Sequence, residues 1–531
     1  MRIVRIWPLL LVVLLCGAQA DAARRSERDG VRRGAGTPVG LLIGRLEMVW
    51  GDPDPNAVAE KRPRFEVVVV DDAGKRHRLD PEHALRAAGD LHALFGRRVA
   101  VSASPVAAKR GGAPASSMRL PDAIVPVGDL VASKAAEFPT KIEGTTRWVT
   151  LMCKFAGNAG ASRDLNYFQS IYGTAPTQLG HFWDEVSYGR IGIVGSIASD
   201  WKTLPQPRSF YVPVDPATNQ EDADLSKLFE DCVALHDPDV DFAAGGGVQG
   251  VNMMFNDNLD GAAWGGSRCT TLDGVNKCWS TTWIPPWAYE STATLAHEMG
   301  HGYGLPHANN SDDDGWPYDS PWDVMSDSRR SNSVLDPVFG RLPKHLSMYS
   351  RNRLGWVAAA RRLDVPVGSG AVSVALDRSS LRGSTNVQMI ALTFPGVTNR
   401  YYTVEARKVG GTYEAAMPGD AVVVHEVVTT RSEPAWSQDA DVPPATYSNN
   451  EGSLFKVGET WVAPDLSFRV KVLSATAQGF VVQVRPAPRK GGPGQPRQVT
   501  TSAASSPLEP APLQPARRVD DIEPMLNRHR R

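Results

Sequence analysis

His297-Glu298-Met299-Gly300-His301-Gly302-Tyr303-Gly304-Leu305-Pro306-His307 is the stretch on which the reading of this chain turns. His297 and His301 are one helical turn plus about 40° apart, so on an α-helix both imidazoles leave the same face. Glu298 follows the first of them, placed to reach a metal-bound water without ligating the metal itself. Gly304 offers an αL-compatible stop, and a turn there brings His307 back toward the pair. Three nitrogen ligands and an open fourth position make a catalytic zinc site, whereas a structural zinc is closed by four protein ligands. The bare His-Glu-x-x-His pattern is expected in roughly one in a hundred chains of this length, but the further Gly and His lower chance to about one in a hundred thousand. At such a site zinc lowers the pKa of its water to about 7 and polarises a carbonyl. Glu298 then takes the water's proton and delivers it to the leaving nitrogen, so no serine or cysteine nucleophile is required.

The surrounding 531 residues are 42% hydrophobic and 22% charged, as expected of globular domains, and the formal net charge of -1 provides no global field for nucleic acid or anionic membranes. Residues 1–20 read as a secretory signal. Arg2 and Arg5 are its basic start, Trp7 to Leu15 is too short to span a bilayer, and Ala18-Gln19-Ala20 is a small-x-small cleavage site. A lipid anchor on Cys16 would need a small residue where Leu15 stands. The expectation is an exported protein, extracellular or periplasmic, without stable membrane insertion and acting as a monomer. Four cysteines remain after such cleavage, Cys153, Cys232, Cys269 and Cys278. An exported chain would oxidise them into two disulfides, and of three possible pairings Cys269–Cys278 with Cys153–Cys232 is favoured.

Along the chain, residues 21–37 form a flexible leader and 38–104 a small β-rich unit. Its strand-like runs are Leu41–Val49, Phe65–Val70 and Val99–Ser102, and a small barrel fits them. This unit is either a propeptide or an accessory module. No cysteine lies between Gly17 and Met152 to plug a zinc, which leaves an aspartate or steric cover for latency. Residues 105–145 look like a linker, rich in Ala, Pro, Gly and Ser. In the segment 146–360, Leu179, Phe182, Trp183 and Val186 make a helical stripe, and Asp222–Leu235 makes a second helix. Ile191–Ala198 alternates like a strand, Val251–Phe255 is a buried strand, and Trp279–Ile284 is an edge strand available to align a substrate. Ser291 or Thr292 caps the His-Glu helix. Short strands separated by turns fill 361–485, as in an antiparallel sandwich. The Pro-rich tail 486–531 has the composition of a disordered segment.

The motif His297-Glu298-x-x-His301-x-x-Gly304-x-x-His307 resembles the signature of the metzincin zinc peptidases. Pro321-Trp322-Asp323-Val324-Met325-Ser326 is similar to their methionine turn, with Met325 as an apolar floor beneath the metal. Several flanking segments resemble secreted bacterial peptidases of the immune-inhibitor-A type and their gametolysin-like relatives. These are Ser187-Tyr188-Gly189, Trp201, Leu204-Pro205, Val240-Asp241-Phe242, Leu346 through Leu354-Gly355-Trp356, and Tyr401–Glu405 with Gly419–Val424. The resemblance covers roughly 145–485. It implies a metzincin-like α/β (α+β) catalytic domain, flanked by the N-terminal small β domain and a C-terminal β-sandwich domain. The activity it implies is zinc-dependent endopeptidase, with protein or peptide substrates and no nucleic acid. Two departures stand out: the immune-inhibitor group often has Asp where this chain has His307, and some metzincins carry a tyrosine where this chain has Asp327, so Tyr318 or Tyr349 is left as oxyanion donor.

Asp312, Asp313 and Asp314 form an acidic loop suited to calcium or to plain solvation, and Asp237, Asp239 and Asp241 form a similar cluster. His345 is expected at the surface or behind the ligands; His181 and His425 are expected to be structural. Two other functions compete: a zinc amidase acting on cell-wall peptides, and a catalytically idle secreted adhesion protein. Glu298 argues against the idle form, which has no need for a base there.

Overall fold

The computed structural model describes residues 40–55, 62–105, 118–128, 141–243, 247–312, 314–327, 332–441 and 450–487. The signal segment, the leader, Asp313, the tail beyond 487 and parts of the 105–145 segment lie outside them.

Five strands build the N-terminal unit: β1 (Gly40–Pro53), β2 (Arg64–Asp71), β3 (Arg76–Leu79), β4 (Arg98–Pro105) and β5 (Arg119–Pro126). They run in the order β2-β3-β5-β4-β1, and a β1–β2 pairing closes the barrel. A helix, α1 (Pro81–Ala88), starts with Pro81 behind Asp80, whose carboxylate accepts from the His83 backbone N–H. Leu46, Met48, Trp50, Val69, Val101 and Ile124 fill the interior. β5 falls in the stretch read above as linker, because Pro121 and Pro126 break its strand pattern.

The next layer holds β6 (Trp148–Lys154), β7 (Ile197–Thr203), β8 (Gly250–Phe255), β9 (Ala262–Leu272) and β10 (Val275–Ile284), in the order β9-β10-β8-β6-β7. The pairings β10–β8, β8–β6 and β6–β7 are parallel, and β9 returns antiparallel beside β10. Helices α2 (Leu165–Ile171), α3 (Leu179–Val186), α4 (Leu225–His236) and α5 (Thr292–Gly302) complete this layer. The stripe Leu179, Phe182, Trp183 and Val186 is buried as its spacing requires. Two expectations need correction. The run from Ile191 gives only a two-residue bridge, and the strand proper begins at Ile197. Trp279–Ile284 is not an edge: it belongs to β10, between β9 and β8. The edge is β9, and β1 of the barrel pairs with it to make one ten-stranded sheet. Disulfides Cys153–Cys232 and Cys269–Cys278 join β6 to α4 and close the β9–β10 hairpin.

Two further sheets follow. One runs β11 (Ala308–Asn310), Ala435–Ser437, Ala421–Val428, Arg400–Arg407, Met389–Thr393, Arg362–Pro366; the other runs Val372–Asp377, Gly479–Pro486, Phe468–Ala475, Thr460–Val462. Their shared core includes Ile390, Tyr402, Val404, Phe468 and Val482. The first sheet is mixed, since both β11 with Ala435–Ser437 and Arg362–Pro366 with Met389–Thr393 pair in parallel. β11 follows His307 directly, so the C-terminal sheet begins inside the segment that carries the three histidines.

Candidate metal centre

All eleven residues of α5 are buried. Its glycines permit that depth. A Cβ on Gly300 would meet Met325 Sδ at 2.4 Å, and one on Gly302 would meet the Trp148 ring at 2.7 Å. Ser291 is the N-cap, but its hydroxyl donates to the Arg341 carbonyl, 3.1 Å away, and not back into the helix. Gly304 adopts φ +86°, a left-handed value that costs glycine little, and the chain turns there to return His307.

The three imidazoles converge. His301 Nε2 lies 3.1 Å from His297 Nε2 and 3.2 Å from His307 Nε2. Backbone carbonyls orient two of them: His297 Nδ1 donates to Val324 O at 2.6 Å and His301 Nδ1 to Leu305 O at 2.7 Å. A carbonyl only accepts, so these bonds place the protons on Nδ1 and leave each Nε2 a lone pair facing its neighbours. Burial pushes His301 down to about 3, in keeping with a neutral ring. Lone pairs at this separation repel unless a cation stands among them, and three imidazole nitrogens, two of them on rings with carbonyl-held Nδ1 protons, suit zinc. Val324 belongs to the turn that carries Met325. Asp323 braces that turn, accepting from Met325 N, Ser347 N and Ser350 Oγ at 2.9, 3.0 and 2.8 Å.

The fourth position, expected to be open, is taken. Asp52, near the end of β1, places Oδ1 2.7 Å from His307 Nε2 and Oδ2 3.2 and 3.4 Å from His297 and His301 Nε2. Trp50, two residues earlier on the same strand face, stacks on His301 with centroids 4.7 Å apart. No local pattern announces Asp52. It reaches the site through β1–β9 pairing, which aligns it with Ala263.

Glu298 is fully buried beside the imidazoles, and β9 runs close above it: a Cβ on Gly265 would lie 2.8 Å from Glu298 Oε2. Burial, and next the Asp52 carboxylate, push the Glu298 carboxyl well above the usual carboxylate range. Of the two candidate tyrosines, Tyr318 is at the centre. Its hydroxyl donates to Asp52 Oδ1 at 2.5 Å and its ring lies 5.3 Å from that of His307. Tyr349 is buried elsewhere, against Arg353. Asp327 takes the Lys344 ammonium at 2.7 Å. A pocket beside Glu298 is lined by Trp287, Thr294, Trp316, Tyr318 and Asp327.

Elsewhere, Asp312 and Asp314 gather with Asp319, which the acidic-loop reading did not include. Asp237, Asp239 and Asp241 diverge: Asp239 pairs with Lys202, and Asp241 accepts from the Ala243 backbone. His345 is not at the surface. It is buried, with Nε2 2.9 Å from Glu185. His181 meets the Tyr413 hydroxyl at 3.0 Å, and His425 is buried in the C-terminal sheet. Compared with protein-family models, curated proteins and solved structures, the chain has no match.

Proposed function

We propose that the chain is an exported zinc endopeptidase of the metzincin kind, cleaving peptide bonds in proteins. The observation that carries this reading is the convergence of three imidazoles, with His301 Nε2 3.1 and 3.2 Å from those of His297 and His307 and two rings with protons held away by carbonyls, beside the buried carboxyl group of Glu298. Zinc held there would supply Lewis acidity, acidifying water and polarising the scissile carbonyl. Glu298 takes the proton of the attacking water and returns it to the amine that leaves. Tyr318 donates its hydroxyl hydrogen to the oxygen on which negative charge develops. Val324 and Leu305 keep the rings of His297 and His301 in one tautomer and orientation throughout. The pocket beside Glu298, with Trp287 and Trp316 in its walls, receives an apolar side chain flanking the cut bond.

Asp52 favours a second reading, a closed four-ligand structural centre. Glu298 weighs against it, because burying an acidic side chain is costly and a structural metal has no use for one outside its ligand set. The test is digestion of a mixed peptide library by the mature protein, with and without a chelator, followed by sequencing of the products. Chelator-sensitive peptide cleavage is expected. Cleavage confined to cell-wall cross-links would replace the peptidase with an amidase, and no cleavage by metal-loaded, Asp52-free protein would leave a binding protein.

A further inference from the structure

We infer that the cavity of about 400 Å³ at the C-terminal end of the His-Glu helix is a binding site for a small molecule bearing a multiply charged oxyanion, either a phosphate group or clustered carboxylates. The site is independent of the zinc reading and uses none of the residues assigned to it.

Charge is the first observation. Five cationic side chains line the cavity, and Glu143 is the one carboxylate in that lining. Glu143 already takes Lys141 at 2.6 Å and Arg190 at 2.7 Å, and Arg353 pairs with Asp90 at 3.4 Å. Arg45, Arg97 and Lys277 are left, and none of them forms an ion pair among the described residues. They come from stretches that only the fold brings together: Arg45 on β1, Arg97 just before β4 and Lys277 on β10. Leu46 shares backbone hydrogen bonds of 2.9 Å with Gly96 and Arg97, and a Cβ on Gly96 would lie 3.6 Å from Cys278 Cβ. The three cations therefore flank one seam. The whole chain has a formal net charge of -1, so this positive surplus is local.

Burial makes that surplus costly, which is the second observation. The half-buried Lys277 ammonium lies 4.1 Å from the centre of the Trp279 ring and donates to the Val248 carbonyl. Burial pushes it below the usual lysine range, and no carboxylate offsets the shift. Arg353 is 6% exposed, and its Nη2 has no hydrogen-bond partner among the described residues. Orphaned buried donors are rare in finished interiors. The helix end does not account for the cations. A helix C-terminus offers only about half a negative charge. Its last carbonyls are moreover taken: Met299 O, Gly300 O and His301 O by backbone N–H groups of the turn, and Gly302 O by the Ser280 hydroxyl. An oxyanion with two or more charges supplies what is missing, since its oxygens accept from guanidinium forks and an ammonium together.

The test is calorimetric titration of the full chain with inorganic phosphate and, separately, with tricarballylate, at about 0.15 M salt. The chain is used in wild-type form and as Lys277→Met, Arg97→Gln and Arg86→Gln. Lys277→Met keeps an apolar stem over Trp279 and removes the charge. Arg86 is an exposed residue of α1 outside the lining and serves as the control. One site with a Kd below about 1 mM is expected for at least one probe. Lys277→Met and Arg97→Gln should each weaken it at least about tenfold, the loss of one charge-assisted contact, and Arg86→Gln should leave it unchanged. Tighter binding of phosphate assigns the site to phosphate-bearing ligands, and tighter binding of tricarballylate assigns it to carboxylates. Circular dichroism checks that the variants fold, and if one does not, the other decides. No binding of either probe, or binding that survives in a folded cavity variant, would overturn the inference. Binding that disappears when the chain is treated with a chelator would overturn it too, by placing the probe on the metal centre.

Discussion

At the scale of single residues the site separates ligation from chemistry. On the reading proposed above, His297, His301 and His307 would hold the ion, while Glu298 and Tyr318 would face the reacting atoms without holding it. Glu298→Gln should therefore keep one zinc per chain in metal analysis and lower kcat/KM about 10³-fold, within the range for loss of a general base. Retained turnover would remove Glu298 from that role. Tyr318→Phe should leave zinc content and KM in place and cut kcat about 10²-fold, the usual cost of one oxyanion donor; a change confined to KM would make Tyr318 a substrate contact only. The convergence of the three histidines is legible in the sequence because a helix and one turn fix their spacing. Tyr318 was one of two candidates, since nothing local distinguishes it from Tyr349. Asp52 was invisible as a neighbour of the three histidines, because it joins residues far along the chain through strand pairing alone.

At the scale of elements, the His-Glu helix and its turn were readable from periodicity and glycine, whereas the edge of the sheet was not. β10 is buried from Trp279 to Ile284, and a strand's own residues do not state whether a neighbour lies on both sides. Inside the sheet its hydroxyls are satisfied by neighbours: Thr282 Oγ1 donates to Asn252 Oδ1 and Ser280 Oγ donates to Gly302 O. Gly304 is the hinge between second and third ligands, and it also faces Phe95 of the barrel, where a Cβ would come within 2.9 Å. Gly304→Val places a β-branched residue at positive φ, a cost of roughly 1–2 kcal/mol. Zinc affinity, measured by competition with a chromophoric chelator, should fall about tenfold; unchanged affinity would show that the turn is not what positions His307.

At the scale of the whole molecule, stability should depend on pH through buried histidines. His236 packs under β6, with Nδ1 2.8 Å from Ser199 Oγ and Nε2 3.3 Å from Met152 O, an arrangement that suits the neutral ring. Burial, then the Lys202 charge, pushes it from 6.5 to about 4. A depressed folded value means that its contribution is complete above about 6.5 and is lost as the pH falls toward 4. The full loss is roughly 3 kcal/mol. Urea midpoints should drop between pH 7 and 5, and His236→Gln should flatten that slope; an equal slope in the variant would assign the effect to other groups. The sequence located the outer β-rich segments but hid how they join, because sheet neighbours are settled by long-range pairing. β11 illustrates what such joining entails. Its three residues, hydrogen-bonded in parallel to Ala435–Ser437, begin immediately after the third imidazole. The C-terminal sheet thus tethers the chain just past His307 from outside the motif, and on the proposed zinc reading loosening that distant fabric would slacken the grip on the ion with all three histidines still present.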